Sequence, residues 1–212
     1  MAILFSDTAA RLRLALAGPL PGHAAHLTMA PSHRLDRALL SVEGKTCREA
    51  GVLVLLHPDD EGAACVVLTA RPPSLREHAG QVAFPGGRRE AGEALPDTAL
   101  REAHEEVALD PSSVEMIGAM TPLYVPPSRF CVYPFVALAP APPTLAPMEQ
   151  EVAEILHVRL AELFDPARTA VDTWETVHGL SDVPYFTAGT HRVWGATAMM
   201  LAELRALVAE TS

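Results

Sequence analysis

Between Gly86 and Leu109 the chain reads GGRREAGEALPDTALREAHEEVAL, a glycine turn running straight into a glutamate-dense stretch. Pro96 and the Asp97-Thr98 pair behind it predict a helix over roughly 97–108, with Asp97 or Thr98 as its cap. Glu102, Glu105 and Glu106 then stand i, i+3, i+4 and project from one face. Ala99, Leu100, Ala103 and Val107 fall on the opposite face and predict burial against a sheet. Carboxylates this close repel, and no lysine or arginine follows four residues after Glu105 or Glu106 to relieve them. An oxygen-rich cluster of this kind suits a hard divalent cation, Mg2+ or Mn2+, better than zinc. A charge run more often marks only a solvated face. Here the glycine turn and the fixed spacing to Glu93 and Arg101 favour a site.

The 212 residues suffice for one sizeable domain with a substantial core, and 49% of them are hydrophobic. A formal net charge of −10 argues against nucleic acid as a partner, so a polyanionic substrate needs local arginines and metal ions. Cys47, Cys65 and Cys131 are widely spaced and odd in number, which predicts buried free thiols in a reducing compartment. The opening MAILFSDTAARLRL lacks the pattern of a secretion signal, and no apolar run approaches a membrane span. The expected setting is cytoplasmic, with no membrane partner.

Residues 7–17 carry an Asp-initiated helical pattern, and 18–48 read as an irregular arm. GVLVLLH (51–57) and ACVVLTAR (64–71) predict strands joined by a turn, and QVAFPGG (81–87) a further short strand. Two strands follow, over 114–125 and 131–139, joined by a PPSRF loop. The proline-rich PAPPTLAPMEQE (140–151) predicts a semi-rigid wall beside a cleft. An apolar run (151–158), a helical turn at LAELF, a short strand near 183–187 and a helix over about 196–209 complete the chain. Helices interleaved with strands and hairpins predict a mixed sheet covered on both faces.

The glutamate segment resembles the Nudix box: a glycine, five residues, a glutamate, seven residues, then Arg-Glu-apolar-any-Glu-Glu-any-Gly-apolar. Gly87, Glu93, Arg101, Glu102, Ala103, Glu105, Glu106 and Leu109 occupy its places in register. Ala108 stands where that family has glycine, which predicts a different exit from the last helical turn. The resemblance implies an α+β fold, the Nudix-type α/β/α sandwich with a mixed β-sheet, and hydrolysis of a nucleoside diphosphate linked to another group. It implies that Glu102, Glu105 and Glu106 are catalytic and bind Mg2+ or Mn2+, helped by a backbone carbonyl near Gly86. Gly87, Glu93 and Arg101 are then structural, with Glu93 and Arg101 pairing to hold the loop on the helix.

Upstream, LTARPPSLREHAGQVAFPGG (68–87) resembles the signature that precedes the box in the coenzyme A pyrophosphatase branch of the superfamily. Leu68, Thr69, Arg71, Arg76, Gly80, Phe84, Pro85, Gly86 and Gly87 match in spacing, while Val67 and Pro72 depart from it. Arg71 and Arg76 suit substrate phosphates, because a guanidinium fork matches phosphate oxygens. Gln81 hydrogen-bonds either substrate or its own loop, and His78 reads as a solvent-side loop residue. Glu151-Val152 with LAELF, and HRVWGATA (191–198), also resemble this branch. A late-loop glutamate sometimes supplies the general base in the superfamily, which makes Glu151, ahead of Glu149, the candidate. Trp194 reads as core packing.

The expected domain spans 51–212, with residues 1–50 as a helix and arm packed on it. The expected partner is a small-molecule nucleotide, coenzyme A or a derivative, and a homodimer stays open. Two other readings remain: a pyrophosphatase acting on ADP-ribose, NADH or another dinucleotide, and a non-catalytic nucleotide-binding regulator.

Overall fold

The computed structural model describes residues 3–72, 80–176 and 179–209. Helices α1 (Phe5–Leu16) and α2 (Gly22–Leu27) precede strands β1 (Arg48–Pro58) and β2 (Ala64–Ala70). The short strands β3 (Val82–Ala83) and β4 (Gly86–Arg88) lead into α3 (Leu95–Val107). Next come β5 (Glu115–Ala119), β6 (Leu123–Val125) and β7 (Phe130–Leu138). β8 (Glu154–Arg159) runs directly into α4 (Leu160–Leu163). β9 (Thr169–Thr176), β10 (Gly179–Ala188) and β11 (His191–Trp194) then lead to α5 (Gly195–Val208).

β1 and β7 pair in parallel along their lengths, from Arg48 opposite Phe130 to Leu56 opposite Leu138. Both faces of this pair are covered, which is why each strand reads as a near-continuous apolar run. The other edge of β1 holds β2 only at 56–58; the two strands then diverge. β4 fills the gap on the β1 side at 50–52, and β3 fills it on the β2 side at Thr69 and Ala70. The break falls at Phe84-Pro85, so the single strand expected over 81–87 is two. β8 covers the outer edge of β2, and β5 and β6 pair separately with β7. The strand expected over 114–125 is therefore also two.

On one face, Leu53, Leu55, Val67, Phe135 and Ala137 bury against Ala99, Ala103 and Val107 of α3. On the other, Val54, Leu56, Val66, Leu68 and Val136 bury against Leu12 of α1 and Met199, Leu201 and Leu204 of α5. Helices on both faces of a mixed sheet give the α+β sandwich expected. Among the described residues a second sheet, β9–β10–β11, forms an antiparallel meander, of which only the middle strand was expected and at half its length.

Three further readings are corrected. Cys47 and Cys131 are joined in a disulfide with their Cα atoms 5.7 Å apart, leaving Cys65 as the free, buried thiol. The parallel register places Glu49 opposite Cys131, so residues 84 positions apart meet at the strand ends. Helix α3 begins two residues early, at Leu95, with Pro96 in its first turn and no side-chain cap. The arm at 18–48 contains α2 and two 3-10 turns, Ser32–Arg34 and Arg37–Leu39. No helix among the described residues is long and apolar enough to cross a membrane.

Candidate active site

α3 lies against β1 at a point where side chains leave no room. A Cβ on Gly51 would stand 2.5 Å from the Leu95 carbonyl, so glycine there lets the helix touch the strand. Gly87 does the same for the Glu102 side chain: a Cβ there would fall 2.4 Å from its carboxylate. The adjacent Gly86 N–H donates to Glu106 Oε2 at 3.1 Å. The glycine turn thus brings strand backbone up to two of the three box carboxylates.

Arg101 organises the other side. Its Nε donates to Glu93 Oε1 at 2.8 Å and its Nη2 to Glu93 Oε2 at 3.2 Å, a two-point grip between loop and helix. That grip, with the Thr98 hydroxyl donating to Glu93 at 2.7 Å, pulls the Glu93 carboxyl down to about 2. Arg101 Nη1 then donates to Glu102 Oε1 and to Glu105 Oε2, each at 3.0 Å. No cation follows Glu105 or Glu106 at i+4, as expected, yet the cluster is relieved from elsewhere: Arg101, four residues before Glu105, pairs with it and with Glu102, and the charge of Arg71 acts on Glu106.

The three glutamates do not share one environment. Glu105 is 55% exposed at its side chain, while Glu106 is 7% exposed overall. Burial, reinforced by the charges of Glu102 and Glu151, pushes the Glu106 carboxyl up to about 7 against the Gly86 N–H and Arg71, which pull it down. Burial likewise raises Glu102, with Arg101 opposing. Among the described residues no three acidic, imidazole or thiol side chains stand close enough together to ligate one ion. The donor set is nonetheless all oxygen, and its buried member Glu106 is short of positive charge, which a hard dication would supply.

The proline-rich segment is more than a wall. The N–H groups of Ala146 and Met148 donate to the carbonyls of Val107 and Glu106, at 3.0 and 2.8 Å, closing the carboxyl end of α3. The chain then turns back, with the N–H groups of Glu151 and Val152 both on the Met148 carbonyl at 2.9 Å, and Ala153 pairs with Ala70. This path delivers Glu151 within electrostatic reach of Glu102 and Glu106, while Glu149 stays exposed in the turn. β8 consequently starts at Glu154, and the apolar run expected from 151 opens as a turn.

Arg71 leaves β2 at the same edge. Its backbone N–H binds the Gln81 carbonyl at 3.0 Å, its charge acts on Glu106, and its buried Nε meets no hydrogen-bond partner among the described residues. Arg76 and His78 lie outside the described residues. Trp194 is half-buried and meets Trp174 edge to face at 4.8 Å between centroids.

Arg89 was not legible in the sequence, because it falls at a free position between Gly87 and Glu93. Its Nε donates to the Glu93 carbonyl and its Nη1 to Glu49 Oε2, both at 2.6 Å. It ties the box loop to the first residues of β1.

A family model described as the NUDIX domain matches residues 47–179. The chain belongs to the Nudix family. An uncharacterized Nudix hydrolase, NudL, from Pectobacterium atrosepticum is 39% identical over 160 residues, 74% of this chain and 81% of the relative. The peroxisomal coenzyme A diphosphatase ndx-8 of Caenorhabditis elegans is 31% identical over 171 residues, 78% of this chain and 71% of the relative. Among solved structures, the Nudix hydrolase RenU of M. smegmatis aligns with a TM-score of 0.52 at 22% identity. That alignment covers 78% of this chain and 88% of RenU, and it shows the fold alone. The protein is a Nudix hydrolase, an enzyme of a family that takes small-molecule nucleotides and works with divalent metal ions.

Proposed function

We propose that this Nudix hydrolase cleaves the pyrophosphate of coenzyme A or an acyl-CoA, giving 3',5'-ADP and 4'-phosphopantetheine or its acyl derivative. The observation that carries the substrate is the spacing of Leu68, Thr69, Arg71, Gly80 and Phe84–Gly87 ahead of the box. The relative named as a coenzyme A diphosphatase supports it. Residues 51–212 form the catalytic unit, with 1–50 packed upon it, in a cytoplasmic setting as a monomer or homodimer. The thiol argument for that setting is lost with the Cys47–Cys131 bridge.

Glu102, Glu105 and Glu106, with the Gly86 carbonyl, would hold Mg2+ or Mn2+. When bound, the ion neutralises charge on the pyrophosphate oxygens and lowers the pKa of the attacking water. Glu151, brought beside Glu102 and Glu106, takes the proton as the water oxygen attacks phosphorus and the P–O–P bridge breaks. Arg71, whose buried Nε has no hydrogen-bond partner among the described residues, and Arg76 grip phosphate oxygens, and Gln81 lines their approach. Gly87, Glu93 and Arg101 keep the loop and helix in register.

Incubation with coenzyme A and Mg2+ or Mn2+ should release 3',5'-ADP, well above Glu105→Gln and Glu106→Gln controls. No product above those controls, or a far higher kcat/KM for ADP-ribose, overturns the reading. Ligand-induced thermal stabilisation without turnover would instead favour a binding module.

A further inference from the structure

Away from the box, two histidines meet above the sheet. His57 on β1 stands opposite Cys65 of β2, and His157 on β8 opposite Val67, so both rings lie on the face that carries α3. They approach edge to face, 4.8 Å between centroids, with His157 Nδ1 and His57 Nε2 2.8 Å apart. His57 Nδ1 faces the Pro58 carbonyl at 2.8 Å and must carry a proton, since a carbonyl only accepts. Its Nε2 is therefore a bare lone pair, held in place by an outer hydrogen bond as metal-ligating imidazoles commonly are. His57 is 3% exposed and His157 is exposed, so the meeting point is fixed from below and reachable from solvent.

We propose that His57 Nε2 and His157 Nδ1 form a second metal site, one that takes an imidazole-preferring dication such as Zn2+ or Ni2+. Two bonds of about 2.0–2.1 Å at the tetrahedral angle span roughly 3.4 Å, so the nitrogens, 2.8 Å apart, need to part by only about half an ångström. On binding, His157 moves its proton from Nδ1 to the solvent side at Nε2, so both rings stay neutral and each gives one lone pair. Asp59 and Glu61 stand nearby with Arg159 between them, at 2.6 and 3.0 Å, leaving one uncompensated negative charge to favour a cation. The Cys65 thiol, opposite His57 on β2, does not group with the two imidazoles as a third donor. No third side chain among the described residues completes the set, so water fills the remaining positions. Nitrogen donors separate this site from the oxygen donors of the box, where Mg2+ and Mn2+ belong.

The full-length protein is titrated with Zn2+ under saturating Mg2+, followed by calorimetry and by the ring-nitrogen NMR signals of its histidines. The expected result is one Zn2+ bound, with shifts at His57 Nε2 and His157 Nδ1 and a rise in Tm. His157→Gln, a change on an exposed side chain, should weaken that binding at least tenfold and abolish the Tm rise. Glu105→Gln/Glu106→Gln should leave both intact, which separates this site from the box. Zn2+ binding unchanged in His157→Gln, or lost in the box variant, overturns the proposal.

Discussion

The Glu106 carboxyl is held at 7% exposure beside the Gly86 N–H, and burial with the charges of Glu102 and Glu151 sets it near pH 7. Its ordinary value is 4.5, so between pH 4.5 and 7 the metal-free folded protein keeps a proton that the unfolded chain has lost. Stability in EDTA should therefore fall as pH rises through this window. Below it the contribution vanishes, and above it the penalty is full, about 3 kcal/mol at 1.36 kcal/mol per unit. Glu106→Gln removes the charge: its metal-free form should unfold at higher denaturant than wild type at pH 8, with the gap closing toward pH 4.5. The same change should lower kcat by orders of magnitude, because the acidic group at the buried end of the cluster is lost. Parallel pH profiles for the two proteins, or full activity, would contradict the role given to Glu106. The residue pattern announced the carboxylates, but their different burial comes from Gly86 and from the returning loop.

At the scale of the element, α3 shows how local rules and packing share control. The i, i+3, i+4 pattern located the helix and its buried alanines, all of which are fully covered. The helix starts at Leu95, ahead of the expected cap, because Thr98 spends its hydroxyl on Glu93 instead of capping. Its exit is the family's usual one, not the different turn that Ala108 predicts. Ala108 adopts the left-handed conformation, φ 55° and ψ 29°, that a glycine would take, and its N–H reaches the His104 carbonyl at 2.9 Å. His104 Nδ1 donates to the Leu109 carbonyl at 2.9 Å, and the 140–151 segment binds the last carbonyls, so the surroundings impose a turn that alanine disfavours. That conformation costs a side-chain-bearing residue roughly 1–2 kcal/mol. Ala108→Gly should accordingly raise stability by about 1 kcal/mol and Tm by about 2–4 °C, with kcat unchanged. A calorimetric Tm equal to or below wild type would count against the strain.

Across the whole molecule, the N-terminal arm is bolted to α5 by a buried charge. Glu203, with no exposed surface, accepts from Gly22 N–H at 3.0 Å, Thr121 N–H at 3.1 Å and the Thr121 hydroxyl at 2.6 Å. It also meets His26 Nε2 at 2.9 Å. These donors, His26 first, hold the Glu203 carboxyl below its ordinary value despite burial. Glu203→Ala leaves the amides and the imidazole unpaired in the core and should cost about 3–5 kcal/mol. Denaturant unfolding measures it; a loss under 1 kcal/mol would mean that the arm is not held there. Nothing local marks Glu203, since it reads as one more polar residue on the C-terminal helix.

The amino-acid pattern alone determined the box, the apolar strands β1, β2 and β7, and the covered mixed sheet. These follow from short-range periodicity, which is written along the chain. The tertiary structure alone decided which carboxylate is buried, which arginine answers it, where Glu151 arrives, and that Cys47 and Cys131 meet. Each of those depends on residues tens of positions apart, brought together by the parallel pairing of β1 with β7 and by the return of 140–151 to the end of α3. Burial and charge are properties of that assembly, so no window of sequence contains them.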